Sequence, residues 1–160
     1  IYIFVGELSN QAAVQRTKDF HDVIGMDMCK FITIIDEQTA NWSRDQARDL
    51  MANWLSAGEP FDAVFANNDE MAIGAIQAMK AAGVSMEEVI VTGVDATQDA
   101  LVAMSTGDLD VTVFQDAAGQ GSGSLNAALD LARGKKVDQK VYIPFKLVIP
   151  SNIKDYLKRN

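Results

Sequence analysis

The stretch AVFANND (Ala63 to Asp69) runs four apolar residues into an abrupt polar end, and a helical pattern starts directly behind it. The same construction recurs in VIVTGVDA (Val89 to Ala96), VTVFQDA (Val111 to Ala117) and ITIIDEQTANW (Ile32 to Trp42). Each apolar run is rich in Val, Ile and Phe and has the length of a buried strand. Strands of this kind alternating with helical patterns signal βαβ units and a parallel sheet, hence an α/β fold of three layers with helices flanking the sheet. Ligands of such sheets sit beyond the carboxyl ends of the strands. The residues just past those ends are Asn68, Asp95, Gln115 and Trp42. Two amides, a carboxylate and an indole make a poor catalytic set and a good set for a neutral polyhydroxy ligand.

Working outward, strand and helix alternate along the chain. Strand Ile1–Val5 precedes a helix from about Gln11 to Ile24, and strand Lys30–Ile35 precedes a helix from about Ser43 to Ser56. In that second helix Ala47, Leu50, Met51, Trp54 and Leu55 form a core stripe at helical spacing. Ser43 and Gln46 have the spacing of a capping box. Strand Ala63–Ala66 leads to a helix over Asp69–Ala82, strand Val89–Thr92 to a helix over Thr97–Ser105, and strand Asp110–Phe114 to a helix over Ala117–Arg133. An extended segment Val141–Val148 and a terminal helix over Ser151–Lys158 close the reading. Ile1 to Val5 is a core strand with no Met and no signal peptide ahead of it, which reads as a fragment whose beginning is missing.

With 160 residues the chain has room for one α/β domain, and 48% apolar against 22% charged residues makes it globular. A net charge of −8 argues against nucleic acid and against anionic membrane surfaces. No apolar stretch approaches the ~20 residues of a membrane span. The lone Cys29 reads as a small packed hydrophobe near a strand start. With one His and one Cys, a zinc site or a Cys–His dyad lacks its parts, and a Ser triad would have to recruit the same His21. No cofactor is implied. Gly119, Gly121 and Gly123 lack the spacing of a phosphate loop and read as close helix packing.

Each candidate site residue has a plain structural alternative. Asp95 is a ligand acceptor, a structural cap, or a carboxylate of metal or phosphate chemistry; the last needs companions, and Asp69 looks more like the first residue of a helix. Asn68 carries both a donor and an acceptor, or caps the helix behind it; the doublet Asn67-Asn68 lets one cap while the other faces a ligand. Gln115 is a ligand amide or a satisfied buried one. Trp42, in a loop, stacks on a sugar ring or staples the helix start. Arg16, one turn before Phe20, is a planar donor fork or an exposed helix charge.

The segments NNDEMAIGAIQAMKAAG, VTGVDATQDALVAM, LDVTVFQDAAGQG and GKKV resemble the periplasmic monosaccharide-binding proteins of ABC transporters, in the ribose, galactose and inositol branch. The resemblance runs along the whole chain. It implies type I periplasmic binding protein architecture, two lobes with sugar in the cleft between them, docking on a membrane permease, and a periplasmic location. It also implies that this chain is the C-terminal lobe: residues 1–115 bind sugar, 116–140 form a hinge-crossing helix that packs on a missing N-terminal lobe, and 141–160 return. Matched position by position, Arg16, Trp42, Asn68, Asp95 and Gln115 become the ligand-binding residues. Trp42 stands where galactose-type relatives keep an aromatic of this kind and ribose types keep Phe; Gln115 stands where galactose types carry Asn. The expected ligand is a hexose such as galactose or glucose, or myo-inositol, and no enzyme activity is implied. The alternative is the sensor domain of a lac-repressor-family regulator, which shares the two-lobed fold. Without its neighbour lobe, the apolar side of the helix over Ala117–Arg133 (Leu125, Ala128, Leu129, Ala132) is expected to fold back, swap or mediate a dimer.

Overall fold

Tyr2–Val5 (β1) is buried along its whole length, as the central strand of a parallel sheet must be. The computed structural model describes residues 1–157. After β1 come α1 (Gln11–Ile24), β2 (Asp36–Thr39), α2 (Arg44–Ala57), β3 (Ala63–Ala66), α3 (Asp69–Ala81), β4 (Ile90–Thr92), α4 (Gln98–Ser105), β5 (Thr112–Phe114), α5 (Ala117–Ala132) and β6 (Lys146–Val148). The four-stranded sheet has the order β2-β1-β3-β4, all parallel. β5 joins β4 through parallel bridges Thr92–Val111 and Asp95–Phe114, and β6 pairs antiparallel with β5.

Alternation along the strands creates the three layers. Tyr2, Phe4, Val64 and Ala66 face α2, α3 and α4 and form one core with Met51, Trp54, Met71, Met79 and Leu101. Ile3 and Val5 face the other way, onto Ala13 of α1, where Phe20 stacks on Phe65 at 4.3 Å. Trp54 occupies the place its stripe predicts: it stacks on Tyr2 at 4.4 Å and donates from Nε1 to Asp36 at 2.7 Å. α1 packs on this second face, and beside it lies an apolar hollow of about 530 Å³ lined by Phe20, Val23, Phe65, Val94, Val113 and Phe145.

Several expectations need correction. The second strand lies at Asp36–Thr39, not Lys30–Ile35. Its charged sequence suits a sheet edge, while Phe31 in the apolar run stands 83% exposed. Cys29 sits half-buried in a 3₁₀ turn over Asp27–Cys29 rather than at a strand start. Only Lys146–Val148 of the closing segment is a strand, because only there does β5 offer a partner. A short 3₁₀ turn, Ile153–Asp155, replaces the terminal helix, whose last residue, Lys158, lies outside the described residues. Of the fold-back, swap or dimer expected of α5, the fold-back is not found: none of its residues is buried, and Leu125 and Leu129 are exposed. Gly121 in α5 faces open space, so close helix packing is not found there.

Candidate functional site

All parallel strands end at one edge, and each of β1 to β5 hands over there to the start of a helix or the loop before one. The partial positive charge of helix amino ends gathers at this edge. The site is built from the turns that make the handover.

After β2, Thr39 donates its hydroxyl to the Gly6 carbonyl at 2.7 Å. The chain then passes through left-handed backbone at Asn41 (φ 52°) and Trp42 (φ 63°), a conformation rare for a bulky residue. The Ser43 amide closes the turn on the Ala40 carbonyl at 2.8 Å. Only half of the expected capping box forms: Ser43 accepts from the Gln46 amide at 3.3 Å, but the Gln46 side-chain oxygen accepts from Asn41 Nδ2 at 2.8 Å. This turn lays the indole of Trp42 over Gly6 so closely that a Cβ on Gly6 would fall 2.3 Å from the ring.

Arg16 is the hub. Its Nη1 donates to the Asn67 carbonyl at 2.6 Å and its Nη2 to Gln115 Oε1 at 2.9 Å. Its guanidinium carbon lies 5.6 Å from the centre of the Trp42 ring, a cation–π distance. Asp95 Oδ1 stands 3.7 Å from Nη2. That is an ion pair but too long for a hydrogen bond, so Arg16 leaves the carboxylate's acceptor sites open. Four of the five expected residues, Arg16, Trp42, Asp95 and Gln115, therefore meet around one guanidinium.

Asn68 stands apart from that group. Its Oδ1 accepts from the Met71 amide at 3.1 Å and caps α3, so the doublet divides its work differently from the expected way. Asn67, fully buried, is the inward partner. Its Oδ1 accepts from the Gly6 amide at 3.1 Å and from the Thr17 hydroxyl at 3.2 Å, while its carbonyl holds Arg16. Its Nδ2 is buried without a partner among the described residues.

Asp95 occupies a left-handed turn with its neighbour (φ 124° at Asp95, 55° at Ala96). Strain of this kind persists only where surrounding contacts over-determine it. Here the Asp95 amide donates to the Val113 carbonyl at 2.8 Å. Burial pushes the Asp95 carboxyl up to about 6; Arg16 pulls it down, and the charges of Asp69 and Glu70 push it up. Asp95 and Gln115, with Thr97, Gln98 and Ala117, line an open hollow of about 480 Å³.

This set can orient and hydrogen-bond hydroxyl groups, with an aromatic wall at one side. His21 sits elsewhere, exposed and 2.6 Å from Glu37. Among the described residues no three His, Cys, Asp or Glu side chains gather in a way that could hold a metal ion. Gly6 and Thr17 escaped sequence reasoning, which took Asn67 only as one half of the doublet. Gly6 follows a strand end directly, which was the available signal; Thr17 has none, because its partner lies 50 positions away.

Comparison with known proteins agrees with this geometry. The periplasmic binding protein domain family matches residues 1–136. A Rhizobium meliloti protein named for rhizopine binding is 63% identical over 158 residues, 99% of this chain and 51% of that protein. A xylitol-binding protein of Mycolicibacterium smegmatis is 36% identical over 140 residues, 86% of this chain and 38% of its own length. An ABC transporter solute-binding protein from Bacillus halodurans, solved with bound myo-inositol, superposes with a TM-score of 0.91 at 44% identity, covering 99% of this chain and 54% of that one. The chain thus spans about half the length of the first two, or less, and about half of the solved structure. These relatives are solute-binding proteins, not enzymes. A parallel sheet flanked by helices, a polar edge where its strands end and a match over most of the chain lead to one conclusion: this chain belongs to the periplasmic binding protein domain family.

Proposed function

We propose that this chain is the C-terminal ligand-binding lobe of a solute-binding protein serving an ABC importer, and that its ligand is a cyclic polyol, with myo-inositol ahead of the hexoses. The observation that carries the reading is the convergence of Trp42, Asp95 and Gln115 on Arg16 at the carboxyl edge of the sheet. Asp95 accepts from adjacent hydroxyls, Arg16 and the Gln115 amide nitrogen donate, Asn68 adds its amide nitrogen, and Trp42 covers the C–H face of the ring. A neutral polyol suits a site whose single guanidinium is already charge-paired with Asp95 and still has N–H groups beyond those given to Asn67 and Gln115, since no ligand charge is called for. The 44% identical relative with bound myo-inositol supports the polyol over a pentose.

In this reading residues 1–115 form the lobe, 116–140 cross to a second lobe that completes the cleft, and 141–160 return. Closure of the two lobes on the ligand is a hinge motion driven by contacts to both sides. The closed protein delivers its ligand to a membrane permease from the periplasm. The relatives supply no support for the regulator alternative.

Calorimetric titration of the full-length protein with myo-inositol, then galactose, glucose and ribose, tests this. Saturable heat with myo-inositol and weaker or no heat with the others is expected. Tight binding of ribose with none of myo-inositol overturns the polyol assignment, and silence across the panel overturns the sugar-class ligand.

A further inference from the structure

In the sequence Asp69 looks more like the acidic first residue of a helix than a companion carboxylate for Asp95. The structure buries it completely and makes it the junction of three segments. Its Oδ2 accepts from the Thr97 amide at 2.8 Å, in the turn that follows Asp95. Its Oδ1 accepts from the Thr112 hydroxyl at 2.7 Å, on β5, three residues before Gln115. The Thr112 oxygen in turn accepts from the Ala96 amide at 3.2 Å. The Asp69 amide donates to the Val94 carbonyl at 2.8 Å. Gly93 makes room for this: a Cβ there would lie 2.4 Å from Asp69 Oδ1.

We propose that Asp69 is a positioning residue for the ligand site, holding the Asp95–Thr97 turn and the Gln115 strand in register through Thr97 and Thr112; the inference rests on the polyol-binding reading above. Asp95 and Ala96 lie in left-handed backbone, which relaxes unless it is clamped. Asp69 clamps it from one side with two charged acceptors. An Asn of the same size has one, neutral, acceptor: with that oxygen on the Thr97 N–H it can only donate to Thr112, whose hydroxyl then loses the acceptor of its own proton while still receiving the Ala96 amide. Burial raises the Asp69 carboxyl above its ordinary range, while its hydrogen bonds to Thr112 and Thr97 favour the ionised acceptor form. The clamp also places the Asp69 charge where it raises Asp95, so the two carboxylates are coupled.

The test is a double-mutant cycle in the full-length protein, with myo-inositol as the probe, alongside amide hydrogen exchange of the unliganded protein. Asp69→Asn is expected to weaken myo-inositol about tenfold, the worth of roughly one net hydrogen bond. In an Asp95→Asn background it is expected to cost little more, because it acts through Asp95. Exchange at the Ala96 and Thr97 amides is expected to quicken. If Asp69→Asn does not fold, Thr112→Val removes the same link at nearly constant volume, and Thr112→Ser, which keeps the hydroxyl, is expected to restore binding. Unchanged affinity in folded Asp69→Asn, or losses that add in full, overturns the proposal. If the wild type binds no member of the sugar panel, the ligand reading fails separately. Exchange then decides the clamp alone: unchanged protection at Ala96 and Thr97 overturns it, and lost protection upholds it.

Discussion

At the scale of single residues, Asp95 is a carboxylate held at a cost to stability. Its carboxyl titrates at about 6 in the folded chain against 3.8 ordinarily, chiefly because it is partly withdrawn from water. Between those two values the folded state holds more proton than the unfolded one. The stability this group contributes therefore falls as pH rises through that window and stays low above it. Asp95→Asn is expected to raise the unfolding free energy of the unliganded protein at pH 7 by about 1 kcal/mol, discounted for the exposed part of the side chain, and to do nothing at pH 3.5. The same change removes the charged acceptor and is expected to weaken polyol binding tenfold to a hundredfold. Wild-type affinity should fall as pH drops below 6, and that dependence should vanish in the variant. Urea melts and titrations at the two pH values check both halves; a variant less stable at pH 7 contradicts the desolvation account. In the sequence Asp95 stands out as a carboxylate three residues past the end of β4. Its clamp was not readable, since Thr97 and Thr112 reach Asp69 across 28 and 43 positions.

At the scale of elements, the end of β1 and the turn after β2 behave as one unit. Thr39 donates to Gly6, the Ala40 amide donates to Val5 at 2.9 Å, and the indole of Trp42 fills the space that the Gly6 side chain would need. Gly6→Ala is expected to displace the indole and weaken polyol binding about tenfold or more, while β1 stays paired on both sides. Trp42 fluorescence against a Trp54→Phe background reports the displacement; an unmoved emission maximum with unchanged affinity sinks the idea. β2 itself shows where local preference lost. Ile and Thr at 32–35 have the stronger strand propensity, yet the ladder with β1 runs from Asp36 to Thr39. An edge strand is held by its neighbour's hydrogen bonds, and β-propensity is mostly a statement about burial. Charged residues at that edge also discourage pairing with another chain.

At the scale of the whole molecule, apolar surface stands uncovered at the leucines of α5 and in the hollow beside α1. Uncovered surfaces of this kind favour association. The 160-residue chain by itself is expected to dimerise or oligomerise with rising concentration, and Leu125→Gln with Leu129→Gln to shift it toward monomer. Sedimentation velocity decides; a wild-type chain that stays monomeric at high concentration removes α5 as an interface. What the sequence by itself determined is the alternation of buried strands and helices and the polar side chains set at the carboxyl edge of the sheet. These are local properties, carried by apolar periodicity and by polar residues placed directly after strands. Tertiary structure alone decided which residues of the second strand pair, which Asn of the doublet caps α3, and that Arg16 gathers Trp42, Asp95 and Gln115 around it. Those outcomes depend on atoms brought together from positions as far as 99 residues apart, and no local pattern encodes a distance of that kind.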